Sequence, residues 1–163
     1  MLVVRATKKL LGRVGAPAVP VGEEGTTLLG PWYATALFWR PQVALLVNEQ
    51  TLLPVLMPLA PAVTWPERIA AEVATVLAAH QVPSALVEEE RQRMSACLFG
   101  ATANRSVIGV MNEFTRLAET LRDGDRGLDL LGLALRLART PCGPLYGTHI
   151  SPDRALAAAF DSP

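Results

Sequence analysis

Charge is scarce in this sequence. Asp, Glu, Lys and Arg make up 18% of the 163 residues, below the ~25% of an ordinary soluble chain. Fifteen basic residues cancel fifteen acidic ones. With no overall positive field, strong non-specific nucleic-acid binding is not expected, because that binding depends on neutralising phosphates. Cysteine is nearly missing too. Cys97 and Cys142 are the two present and form no CxxC, which excludes a disulfide scaffold and reads as two small buried apolar side chains. The two histidines, His80 and His149, stand far apart without a cysteine cluster, so no metal site is expected. No cofactor is expected either. Long apolar runs are also lacking. Arg40, Asn48 and Pro54 interrupt the longest stretches, which stay well short of the ~20 residues of a membrane span. The opening apolar run, Leu2 to Val4, is too short for a secretion signal. No membrane association and a cytoplasmic location follow as expectations.

Several catalytic signatures are missing as well. There is no GxxxxGK[ST] phosphate loop and no HExxH. The nearest approach to a nucleophile elbow, Asn104 to Gly109, lacks the first glycine of GxSxG.

What the chain does have is apolar material, at 50%. A single domain of this length buries roughly 70% of the surface its unfolded form exposes. It therefore needs no staple, and the surplus goes to a large core or to an interface. With almost no net charge to resist self-association, a homodimer is an expectation.

Leu2 to Arg5 reads as a short buried strand, and Thr7 as the cap of a short helix through Leu11. Gly12 to Gly25, with four glycines and two prolines, reads as a loop. Three apolar runs follow between Trp32 and Leu59, separated by Arg40-Pro41-Gln42 and by Asn48-Glu49-Gln50-Thr51. They predict an antiparallel meander. Its middle strand, Val43 to Val47, is buried on both faces, and Pro54 makes its third strand an edge or bulged one. Thr64 and Glu67 have capping-box spacing before a helix striped by Ile69, Val73, Val76 and Leu77. Ser84 is placed as the cap of a strongly charged helix through Arg93 whose outer face is solvated. Ala96 to Phe99 reads as a returning strand, and Asn104 to Arg122 as the longest helix. Leu128 to Arg139 carries leucines on every side, which indicates burial in the core or at a subunit interface. A turn holding Cys142 and a packed Tyr146 precedes a last short helix through Phe160. The expected fold is one α+β domain over residues 1–163. It has a small, mainly antiparallel sheet of four to six strands, covered by helices from the C-terminal half.

Four polar groups merit attention. Asn104, Arg105 and Ser106 stand at the start of the long helix, where free N–H groups and a partial positive charge suit an anion. Asn112 lies two turns on, in the polar stripe with Arg105. Arg5, Lys8, Lys9 and Arg13 form a basic group without an acid, suited to a phosphate or an acidic partner. Glu49, in the hairpin turn, is the carboxylate available as a general acid or base. Cys142 and His149 have the chemistry of a nucleophile pair, but no third group is spaced to orient them. The candidate anion site is thus Lys8, Lys9, Asn104, Arg105, Ser106 and Asn112.

The stretches ATKKLL, WYATALFWRPQVALLVNEQTLLPVLMPL and TANRSVIGVMNEF, in this order, resemble an uncharacterised bacterial domain family. The resemblance spans residues 2 to 122. It implies a bacterial origin and a self-contained domain, and it brings no catalytic residue with it. The functional expectation is a non-enzymatic binding or regulatory module, homodimeric and open to a small anionic ligand. The alternative is an enzyme acting on a phosphate-bearing substrate such as a nucleotide or RNA, with Arg105 holding the anion.

Overall fold

The computed structural model describes residues 1–15, 19–20 and 22–161. Among these residues five strands form one sheet: β1 (Leu2–Ala6), β2 (Trp32–Leu37), β3 (Val43–Asn48), β4 (Pro54–Pro58) and β5 (Cys97–Ala101). Their order across the sheet is β4-β3-β2-β1-β5. The β2–β3–β4 meander is antiparallel as its short polar turns dictate, every residue of β3 is buried, and β4 is an edge.

The sheet is mixed rather than mainly antiparallel. β1 runs parallel to both of its neighbours, β2 and β5. The cause is the connections. A hairpin reverses the chain in a few residues, whereas the stretch from β1 to β2 contains a helix and is long enough to cross back and start again in the same direction. α2 and α3 do the same before β5.

Six α-helices among the described residues accompany the sheet: α1 (Lys8–Val14), α2 (Trp65–Ala79), α3 (Ser84–Arg93), α4 (Arg105–Gly124), α5 (Leu130–Leu137) and α6 (Pro152–Phe160). Strand alternation splits the core in two. Leu2, Val4, Trp32, Ala34, Leu46 and Met57 face one way and pack with α2 through Trp65, Ile69, Val73 and Leu77. Tyr33, Leu45, Val47 and Leu56 face the other way and meet Val107, Met111 and Phe114 of α4 and Leu133 and Leu137 of α5. The leucines around α5 have a structural cause. The helix packs against edge strand β4 and against both α4 and α2, so Leu131 joins one core while Leu133 and Leu137 join the other.

Several local expectations need correction. Thr7 precedes α1 but makes no side-chain cap. Its hydroxyl pairs with Thr35 Oγ1 at 3.0 Å instead. Thr64 is already helical, following a 3-10 turn over Ala62–Thr64, and the capping box does not form. Its hydroxyl donates to the Pro61 carbonyl at 3.1 Å and accepts from Arg68 Nε at 3.3 Å. Ser84 is the first residue of α3, with Pro83 before it. α1 runs to Val14, so the expected loop starts at Gly15, and its residues 16–18 and 21 lie outside the described residues. Tyr146 is 64% exposed, because Leu145 takes the buried place in that turn. The inner side of α3, on which the sequence carried no expectation, holds an acid. Glu90 is completely buried, and its carboxylate accepts hydrogen bonds from Leu28 N at 2.7 Å and Leu29 N at 2.9 Å.

Candidate functional site

On the face carrying α4 and α5, those helices pack against β2, β3 and β4. Beside them, over β1 and β5, opens a cleft of about 690 Å³. Arg5 of β1 lies at its floor, in register with Tyr33 of β2 on one side and Gly100 of β5 on the other. The register creates this row, because residues paired across neighbouring strands point to the same face of the sheet.

Gly100 is glycine for a steric reason. A Cβ there would meet Val19 Cγ1 at 2.3 Å. Its absence lets the segment at Val19 close against β5, where Val19 N donates to the Phe99 carbonyl at 2.8 Å. Gly100→Ala is expected to push Val19 off this wall and to cost about 1–3 kcal/mol of stability in a urea titration. A change within about 0.5 kcal/mol, the scatter of ordinary surface substitutions, would mean that Val19 yields freely.

Tyr33 is buried, and its hydroxyl accepts from Asn104 N at 2.8 Å. That bond pins the start of α4 to the sheet. Asn104 caps the helix as its position predicts, its Oδ1 accepting from Ser106 N at 3.0 Å and Val107 N at 3.3 Å. Glu24, Pro31 and Glu49 line the same cleft. The Glu49 wall is shaped by Asn48, which is fully buried. Asn48 Oδ1 accepts from Gln50 N, Thr51 N and Thr51 Oγ1 at 2.9–3.1 Å. Its Nδ2 donates to the Leu29 carbonyl at 2.9 Å and the Pro31 carbonyl at 3.4 Å.

Arg5 itself is weakly engaged. It donates to the Ala101 and Glu23 carbonyls at 3.4 Å each, longer than an ordinary N–H···O bond. Among the described residues the ion pairs are Arg91–Glu88 and Arg93–Glu89, so no carboxylate neutralises Arg5 within 4.0 Å.

The structure brings Arg5, Glu49 and Asn104 to this one cleft. Arg105, Ser106 and Asn112 are exposed on α4 and are not among its walls, and Lys8 is exposed on α1. Lys9 points elsewhere, with Nζ 5.3 Å from the centre of the Phe38 ring. Sequence reasoning missed Tyr33, Glu24 and Gly100, whose common location depends on the parallel register. Cys142 is buried, its thiol donates to the Thr140 carbonyl at 3.4 Å, and burial pushes it up to about 11. Burial pushes Cys97 up to about 12. Both thiols therefore stay protonated and are weak nucleophiles near neutral pH. His149 is exposed.

Residues 3–155 match the family model described as Domain of unknown function (DUF6933). The chain belongs to this family. No curated protein and no solved structure matches it. As a DUF6933 domain, the chain has the uncharacterised relatives its ATKKLL and NRSVIGVMN stretches led one to expect, and no named activity comes with them. No helix among the described residues of this DUF6933 domain is long and apolar enough to cross a membrane.

Proposed function

We propose that the protein is a binding module whose cleft over β1 and β5 takes a small polar ligand. That ligand carries a phosphate or carboxylate together with hydroxyl or amine donors. The observation that carries this reading is Arg5. A guanidinium at the floor of a cleft, held among the described residues by two long bonds to carbonyls and with no carboxylate within 4.0 Å, is a ready partner for an anion. Glu24 and Glu49 on the walls suit the donor groups of the same ligand. The cleft also falls within the usual size range of small-molecule sites.

The test is a thermal-shift and calorimetric screen with inorganic phosphate, nucleoside monophosphates and small hydroxycarboxylates. A ligand that binds only the native state raises the melting temperature. Arg5→Ala is expected to weaken such binding about tenfold or more, the equivalent of about 1.4 kcal/mol, with Arg5→Lys falling between. If Arg5→Ala binds as wild type does, the reading is wrong.

A second reading is an enzyme acting on a phosphate-bearing substrate. It is favoured by one observation: a carboxylate, Glu49, and a phenol, Tyr33, share the cleft with Arg5. On that reading Glu49→Gln keeps binding and loses turnover. A bacterial, cytoplasmic setting completes the proposal, supported by the family resemblance and by two free thiols. So does a homodimer, supported by the near-zero net charge; a solution mass of one chain would remove it.

A further inference from the structure

At the far end of β2 from Tyr33 the chain turns through Phe38, Trp39 and Arg40, and here aromatic rings and cations gather. Phe38 is 59% exposed, an unusual position for a large apolar ring. Lys9 Nζ and Arg13 Cζ lean over it from α1, 5.3 and 5.9 Å from its centre. Both lie within the ~6 Å reach of a cation–π contact, and the ring beneath these two charges is still more than half exposed. Arg122, near the end of α4, stacks on Trp39 at 4.2 Å. Two hollows flank the turn. One, about 510 Å³, is lined by Trp39, Arg40, Arg122 and Arg126, and the other, about 200 Å³, by Lys9, Phe38 and Trp39.

Five cations thus surround two consecutive aromatic residues. Two acids also reach these hollows, Glu119 and Asp129. Asp129 is committed elsewhere, since its Oδ1 accepts from Gly132 N at 2.7 Å as the cap of α5. Neither acid forms an ion pair with any of the five cations among the described residues.

We infer that this surface binds a short stretch of single-stranded nucleic acid, with a base stacked on Phe38 and backbone phosphates against Lys9, Arg13, Arg40, Arg122 and Arg126. The combination answers that ligand's two recurring features. Every base offers a π-face, and each linkage carries one negative charge. Proteins that hold single strands pair aromatic platforms with a cationic track for this reason. A duplex hides its bases, so it meets only half of the surface. An acidic peptide would use the charges but would leave the open ring without a flat partner. The neutral chain as a whole limits the affinity and confines it to this patch.

The experiment uses the full chain and fluorescence anisotropy with labelled twelve-nucleotide dT and rU strands, from low to physiological salt. Single strands are expected to bind, with affinity falling as salt rises. Phe38→Ala is expected to weaken binding roughly tenfold, within the range measured for base–aromatic stacking. Arg126→Ala is expected to lower the salt slope by about 0.7, the value for one lost phosphate contact on a single strand. Both side chains stand at the surface, and melting temperatures matching wild type verify the fold. Arg5→Ala is expected to bind strands normally, which separates this surface from the cleft. The inference is overturned by no binding at low salt, by Phe38→Ala binding as wild type does, by a duplex competing equally well, or by anionic lipid vesicles binding more tightly than the strands.

Discussion

Asn48→Ala is expected to destabilise the protein by about 3–5 kcal/mol, at the upper end for a single substitution. One completely buried side chain makes five hydrogen-bond contacts at once, within the β3–β4 turn and to the segment entering β2. Truncation leaves Thr51 N and the Leu29 carbonyl buried without that partner, and each such orphan costs about 1–3 kcal/mol. The turn has little slack to find substitutes, because Leu52 already sits in left-handed backbone at φ 60. Asn48→Asp is the informative companion. It keeps the oxygen that caps the turn but sets a second oxygen, buried and charged, against the Leu29 and Pro31 carbonyls. It should be no more stable than Asn48→Ala near neutral pH. Urea denaturation measures both. A loss below about 1 kcal/mol for Asn48→Ala, no more than one ordinary hydrogen bond, would mean that solvent or a shifted turn replaces the side chain.

The second large effect belongs to Glu90. Its carboxylate receives the N–H groups of Leu28 and Leu29 inside the protein. Glu90→Ala strands both donors and should cost about 2–5 kcal/mol. Glu90→Gln keeps one acceptor and turns an amide donor toward the other N–H, so it should cost about 1–3 kcal/mol. Wild type and Glu90→Gln also differ in pH dependence. Burial pushes the Glu90 carboxyl above its ordinary value, and Glu89 adds to the rise. The two N–H donors and Arg93 pull the other way without overcoming it. The folded protein therefore holds this proton more tightly than the unfolded chain. The associated stability is fully present below the unfolded value of 4.5 and is lost as pH rises through the folded one. The advantage of wild type over Glu90→Gln should shrink between acid and neutral pH. An advantage that grows over that range would show that the two N–H donors, not burial, govern the group.

Asn48 and Glu90 act on the same short stretch. One binds its carbonyls at Leu29 and Pro31, the other its N–H groups at Leu28 and Leu29. Pro31 is a wall of the cleft. Damage at either residue should therefore reach the cleft without touching Arg5.

The meander from β2 to β4 was legible in the sequence because its information is local: apolar runs, polar turns and a proline at the edge. The place of β1 was not. A strand of five residues says nothing about whether its neighbours run with it or against it, and here both partners arrive after long helical connections. The same limit applied to the cleft. Asn104 and Glu49 could be singled out by local chemistry, one as a helix start and one as an acid in a turn. Arg5 was grouped with Lys8, Lys9 and Arg13 by proximity in sequence, yet β1 ends at Ala6 and α1 carries the others away. Tyr33 looked like one aromatic among several until the parallel register set it beside Arg5. Glu90 was hidden among Glu88, Glu89, Arg91 and Arg93, which are charged neighbours of a kind usually found in water.

The place of β1 also bears on how the molecule assembles. Leu2 lies opposite Cys97 and Val4 opposite Trp32, so a strand made early in this sheet sits beside one made some ninety residues later. Pairings so far apart in sequence are slow to form. The meander can close early, while the N–H and C=O groups on the outer side of β1 stay unpaired until Ala101 has been synthesised. During that interval the nascent chain carries an open strand edge, the type of surface on which misassembly begins and chaperones act.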